Sequence, residues 1–292
     1  MRRSPVLVLS LVLVSFAYGQ SGVKVEIDDV TDNRVSAGPF AGSLDLRVKL
    51  DGSNLDKATA ARIIVKDARD DRGNALHNPS ADPPDFMPRE YNSGTLQLSV
   101  RQPVRAASSV KIKGTLELYV PSRDPSAIVK IDKALSKLDT PLSSKTLKSA
   151  KIEITPLSRA KYAEMLKSRK LDDKAIAEIR ARGKKEGVPE KEIELAIELA
   201  KAFEGMDGEP PENAVLLSGK KSDFDRILRV EILGKNGEPM NIPSRSTSTR
   251  GDASMMTLQT AEPVPADATL QLFVLTDKSR MSVPFELNVP LP

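Results

Sequence analysis

Leu44, Leu46, Val48 and Leu50 alternate with Asp45, Arg47 and Lys49. A period of two puts all four apolar side chains on one face of a strand, whereas a helix with 3.6 residues per turn would scatter them. The same alternation runs through Val23, Val25 and Ile27, through Leu96, Leu98 and Val100, and through Val110, Ile112, Leu116, Leu118 and Val120. It returns in Leu228, Val230 and Ile232, in Leu270, Leu272 and Val274, and in Val283, Phe285, Leu287 and Val289. Short half-buried strands divided by Gly, Pro, Asn and Asp predict antiparallel sandwiches. Gly114 falls inside one alternating run and is expected to mark a bulge or bend.

The two strand-rich regions share detail. Leu98 precedes Pro103 as Leu258 precedes Pro263, and Val-x-Ala follows each Pro. "LELYVPS" from Leu116 parallels "LQLFVLT" from Leu270, and "VKDARDDRGNAL" parallels "VEILGKNGEPM". A diverged tandem duplication accounts for these pairs. Each unit resembles an immunoglobulin-like or fibronectin-type module in architecture. The Cys…Trp…Cys signature of true immunoglobulin domains is absent, since the chain has neither residue, so no functional residue carries over. The expected fold is mainly β, with two tandem immunoglobulin-like/fibronectin-like antiparallel β-sandwich units. The expected division is a signal peptide at 1–19, a first sandwich at 20–135, a Lys/Ser/Thr-rich linker at 136–150 and a second sandwich at 151–292.

The first residues read as a leader. Arg2 and Arg3 precede an apolar run, Val6 to Ala17, and Ala17-Tyr18-Gly19 suits cleavage before Gln20. The run is shorter than the roughly 20 residues that span a bilayer. Removing 1–19 takes two basic residues and no acid from 44 Lys+Arg and 40 Asp+Glu, leaving a net charge of +2. A nucleic-acid partner needs a concentrated positive surface and is not expected. With no Cys, disulfides cannot support the fold, so each unit must bury a core of its own. A periplasmic or secreted protein is expected, with no stable membrane insertion after cleavage.

One region breaks the alternation. "KEIELAIELAKAFEGM", Lys191 to Met206, belongs to a helical stretch at about 157–207 that reads as a three-helix insertion after the first strand of the second unit, "KIEIT" at 151–155. Ser158 is a candidate cap for the first helix and Asp172 for the second, which is expected to end before Gly183. The third starts near Pro189 and carries an apolar arc of about 220°, about twice what one neighbour needs. The candidate interaction face is Leu195, Leu199, Ala202, Phe203 and Met206, for a protein partner or self-association. Residues 158–186 hold ten basic and five acidic residues against two and five in 189–204, so the helices should attract each other.

Catalytic and metal chemistry find little support. His77 is the sole His, which with no Cys excludes a multi-His or Cys-based zinc site, and it reads as a solvated loop residue. Asp28, Asp29 and Asp32, and Asp67, Asp70 and Asp71, are weak calcium candidates that match no EF-hand spacing. Met240, Met255, Met256 and Met281 lie in the second unit and read as core filler rather than copper(I) ligands. Arg250-Gly251-Asp252 spells an adhesion tripeptide in a Ser/Thr/Arg loop. The expected function is non-catalytic and without a cofactor: a structural or protein-interaction role, with the helical segment and loops 74–94 and 241–254 as contact regions. The alternatives are a calcium-dependent or ligand-binding sandwich module and a hydrolase using an acidic cleft between the two units.

Overall fold

The computed structural model describes residues 22–33, 42–53, 55–77, 83–88, 94–168, 173–185, 187–203 and 210–291. The fold is mainly β, with several antiparallel sheets. The strands in chain order begin with β1 (Val23–Asn33), β2 (Ser43–Gly52), β3 (Ala60–Asp70), β4 (Met87–Pro88), β5 (Thr95–Arg101), β6 (Ser109–Tyr119) and β7 (Ile128–Ile131). Next come α1 (Lys145–Ala150), β8 (Ile154–Pro156), α2 (Arg159–Ser168), α3 (Asp173–Lys185) and α4 (Glu190–Phe203). The chain continues through β9 (Ala214–Lys220), α5 (Lys221–Phe224), β10 (Ile227–Leu233), β11 (Ser244–Arg250), β12 (Ala253–Gln259), β13 (Thr269–Val274) and β14 (Arg280–Pro290). These elements form two compact units, one of Met1–Val120 with Arg280–Pro292, the other of Pro121–Ser279.

In the first unit, sheet β1–β2–β5 and sheet β14–β6–β3–β4 share one buried cluster. Leu44, Leu46, Val48 and Leu50 of β2 are buried, as are Leu96, Leu98 and Val100 of β5, so the period-two reading of these strands selects the core face correctly. Ile63, Ile112, Leu116 and Leu118 close the cluster from the other sheet. Each such side chain contributes roughly 1.5–3 kcal/mol by leaving water. Gly114 does mark a bulge, but the extra residue lies on the neighbouring strand. The register breaks on β3, between Val65 and Asp67, opposite an unbroken β6. Gly114 is needed for space: a Cβ there would lie 2.5 Å from the Ile64 carbonyl oxygen and 2.5 Å from Phe285.

The division of the chain differs from the sequential expectation. β14 pairs with β6 from Arg280↔Tyr119 to Pro290↔Ser109, and Val283, Leu287 and Val289 sit in the first unit's core, not the second's. Alternation marks which face of a strand is buried but not which strand it joins. Residues 128–131, assigned to the first sandwich, form β7 beside β13 in the second unit. The expected linker is folded there too: Leu147 on α1 is 1% exposed, and Leu135 and Leu142 pack on the same core. Ser144 caps α1, accepting the Leu147 N–H at 3.0 Å.

In the second unit, sheet β10–β13–β7 and sheet β11–β12–β9–β8 share a cluster containing Val230, Ile232, Leu270, Leu272, Leu217 and Leu258. The four-stranded sheet is covered on its other face as well. Leu216 and Met255 pack with Leu157 and Tyr162, and with Met165 and Leu166 of α2. Hence Val215, Leu216 and Leu217 are buried consecutively, without alternation. Ser158 caps α2 as expected, accepting the Lys161 N–H at 3.1 Å, while its own N–H donates to Asp139 Oδ1 at 2.8 Å.

Two turns, one per unit, have the same hydrogen-bond frame. In the first, Asp70 N–H donates to Asn74 O, Gly73 N–H to Asp70 O and Leu76 N–H to Ala68 O. In the second, Gly234 N–H donates to Glu238 O, Gly237 N–H to Gly234 O and Met240 N–H to Ile232 O. Gly73 and Gly237 both adopt positive φ, 87° and 78°, which favours Gly. Ala68 faces Ile112 and Ile232 faces Leu270, so by the ladders Leu270 corresponds to Ile112 rather than to Leu116.

Candidate protein-interaction face

Helices α3 and α4 form an antiparallel hairpin. Gly187, at φ 74°, turns the chain; Val188 N–H donates to Gly183 O at 2.9 Å, and Pro189 O accepts from Ile193 N–H to open α4. Glu190 and Glu192 lie in the first turn of α4, and Arg182, Lys184 and Lys185 in the last turn of α3, where the helix dipoles favour those charges. α3 runs through Gly183 instead of ending before it. A Cβ on Gly183 would meet Ile193 Cδ1 at 2.6 Å, so the missing side chain lets α4 approach.

The charges of the helices pair as their imbalance predicts. Arg180 grips Glu194 in a fork, Nε to Oε1 at 2.6 Å and a terminal nitrogen to Oε2 at 2.9 Å, and Lys184 lies 3.6 Å from Glu190. The Arg180 hydrogen bonds hold the Glu194 carboxyl below its ordinary pKa. Both side chains are solvated, so the fork orients the helices more than it stabilises them. Ile176, Ile193 and Ile197 are buried together, with Val188 against them.

Among the described residues nothing covers the other side of α4. Leu195 is 56% and Leu199 50% exposed, and Ile179 of α3 is 37% exposed. Two residues separate Ile193 from Leu195, a rotation of about 200° on a helix, so the buried and exposed pairs point in opposite directions. The wide apolar arc is thus divided: α3 covers one side, and α2 packs on the sheet instead. Ala202 and Phe203 continue the α4 backbone, but their side chains lie outside the described residues, as does Met206 entirely.

The acidic candidates have internal partners. Arg47 approaches Asp28 Oδ2 at 2.5 Å and Asp29 at 3.9 Å. Asp32 lies nearby on β1 but is part-buried. Asp67 pairs with Arg69 at 3.2 Å. Burial raises the Asp70 carboxyl, but hydrogen bonds from Asn74, Val104 and Arg72 outweigh it and leave the group below its ordinary pKa. Asp71 is likewise lowered, first by the Ser108 hydroxyl at 2.6 Å and then by the Ser108 N–H. The two triplets therefore support turns and strand faces. Among the described residues no group of three or more His, Cys, Asp or Glu is placed to hold a metal ion.

His77 is not solvated: its side chain is 14% exposed, and Nδ1 accepts the Ala68 N–H at 3.2 Å. In the neutral ring this places the proton on Nε2. His77 lines a cavity of about 520 Å³ with Leu76, Leu98, Val100 and Arg101, a feature with no signal in the sequence pattern. A second cavity, about 460 Å³, is bordered by Gly234, Glu238, Met240 and Pro263. Met255 and Met256 point to opposite faces of β12, Met240 packs on the second unit's core and Met281 on the first unit's. They cannot share one ion, and Met281 belongs with the first unit. Residues 241–254 are mostly the β11–β12 hairpin rather than a loop, with Gly251-Asp252 at its turn and Arg250 at its neck. In 74–94, residues 74–77, 83–88 and 94 are described, and they include the two-residue β4.

No family model, no curated protein and no solved structure matches this chain. Among the described residues no helix is long and apolar enough to cross a membrane.

Proposed function

We propose that this chain is an exported, non-catalytic protein with a structural or protein-interaction role in the cell envelope or outside the cell. In this reading two immunoglobulin-like sandwich units arose by duplication, and α2–α4 are an insertion in the second. The shared frame of the two turns supports the repeat, and the position of α2–α4 between β8 and β9, antiparallel neighbours in one sheet, supports the insertion. The leader at 1–19 supports export.

The observation that carries the interaction role is the pair Leu195 and Leu199, half exposed on the side of α4 opposite its buried Ile residues. A helix that sets large apolar side chains at i and i+4 toward solvent has the form of a helix used for docking. A hydrolase reading calls for a carboxyl raised toward neutrality. The displaced carboxyls of Asp45, Asp70, Asp71, Asp124, Asp139, Glu194 and Glu286 are all lowered.

The test is co-purification from the native envelope fraction, comparing the full chain with a Leu195→Glu/Leu199→Glu variant. Deleting 158–206 is the poorer choice, because it would strip Tyr162 from Leu216 and Met255. Loss of co-purifying proteins from the double variant is the expected result. An unchanged set of partners rejects this face.

A further inference from the structure

β11, "SRSTSTR", is the outer strand of the four-stranded sheet in the second unit, and all seven of its residues are exposed. The other sheet edges carry devices that discourage further pairing. β1 and β10 have register breaks, β4, β7 and β8 are two to four residues long, β14 contains Pro284, and β5 already donates Arg101 N–H to Leu76 O. β11 has no proline and no lysine, its two charges, Arg245 and Arg250, stand near its ends, and it keeps unbroken register with β12 over its whole length.

Its hydrogen-bonding parity follows from the hairpin. Asp252 O accepts from Lys221 N–H on the β9 side, so Ala253 turns its own groups to β11, and Arg250 stands opposite it. Even-numbered residues of β11 therefore face β12, and Thr247 and Thr249 direct their N–H and C=O groups outward. Among the described residues nothing meets those groups.

We propose that β11 pairs antiparallel with β11 of a second copy, about a two-fold axis through Thr247. This goes beyond the docking role of α4 and uses a different surface. The sequence is complementary to itself in this arrangement. Centred on Thr247, the register sets Thr247 against Thr247, Arg245 against Thr249, Ser246 against Ser248 and Arg250 against Ser244. Hydroxyl pairs meet across the ladder and no like charges face each other. A parallel in-register pairing would set Arg245 against Arg245 and Arg250 against Arg250. Outward groups also meet outward groups in the antiparallel register, which joins two four-stranded sheets into one of eight strands with closed two-fold symmetry. The strand is about 24 Å long, so the contact is small and association belongs in the micromolar-to-millimolar range.

The test is sedimentation equilibrium of the full chain from about 10 μM to about 1 mM, with three variants. Thr247→Pro removes one outward N–H while leaving the β12 ladder intact; it is expected to weaken association at least tenfold with unchanged melting temperature. The chain has no Cys, so Thr247→Cys supplies a single thiol. Across the axis its Cα partner would lie about 5.5 Å away, within disulfide reach, whereas Ser244→Cys would meet no thiol. Efficient oxidation to a covalent dimer at 247 and not at 244 supports the proposal. A chain monomeric throughout the range, or a dimer that survives Thr247→Pro and cross-links equally at both positions, overturns it. The Leu195→Glu/Leu199→Glu variant should dimerise normally, so loss of co-purifying partners and loss of this dimer are separately readable.

Discussion

Truncating two neighbouring side chains of α4 should have very different effects. Ile197 is 2% exposed and is one of three Ile residues, with Ile176 and Ile193, that form the buried centre of the hairpin. Ile197→Ala removes about a third of that centre, and large-to-Ala changes of this kind cost about 2–5 kcal/mol. Even 2 kcal/mol raises the open population of the hairpin about thirtyfold, since each 1.4 kcal/mol is tenfold. The loss should be local, because the Ile cluster is separate from the two sheet cores. Leu199 is 50% exposed, so Leu199→Ala should change stability by no more than about 0.5 kcal/mol. Hydrogen exchange followed by mass spectrometry reads this directly. Peptides from 173–203 should exchange faster in Ile197→Ala and at the parent rate in Leu199→Ala, with β2 and β13 unchanged in both. Equal acceleration in the two variants would mean that Leu199 is covered, and would refute the argument for an open face.

Three further outcomes follow from the cores and turns. Asp70 has a folded pKa below its ordinary value of 3.8, so its contribution is present above that value and is lost as pH falls through the folded pKa; Asp70→Asn should flatten the acid limb of an unfolding-versus-pH curve and lower stability at pH 7 by about 1–3 kcal/mol. Gly114→Ala should destabilise the first unit by about 1–3 kcal/mol in urea titration, because the added Cβ meets the Ile64 backbone at 2.5 Å and backbone yields little. Gly234→Asp should raise the calorimetric melting temperature, because it restores in the second turn the carboxylate that Asp70 supplies in the first; a fall would count against the equivalence of the turns.

Strand identity and core face were legible in strands buried on one face only, which write their own burial at period two; β9, covered on both faces, has no such period. Leu44 to Leu50 and Leu96 to Val100 needed no other information. Partnership was not legible: Val283 to Val289 carry the same alternation as Leu270 to Val274, and only long-range packing sends the first set to β6 and the second to β10. The segment 136–150 reads as a linker because its apolar residues are sparse, yet Leu142 and Leu147 pack on the second unit's core. β11 reads as loop because a strand exposed on both faces has no apolar period. Gly183 resembled a helix stop because sequence spacing does not show that Ile193 occupies the place of its side chain. Of the candidate site, the width of the α4 arc was legible, but not which half α3 would cover.

β14 completes the first unit's sheet after the chain has passed through the whole of the second. During synthesis, β6 leaves the ribosome with one of its two eventual neighbours missing, and residues 121–279 follow before that neighbour exists. The second unit has all its strands earlier than the first does, although it is encoded later. Order of completion is therefore the reverse of order of appearance. Until residues 280–290 arrive, the edge of β6 is open along eleven rungs, and a chaperone that shields nascent strand edges would find its longest task there.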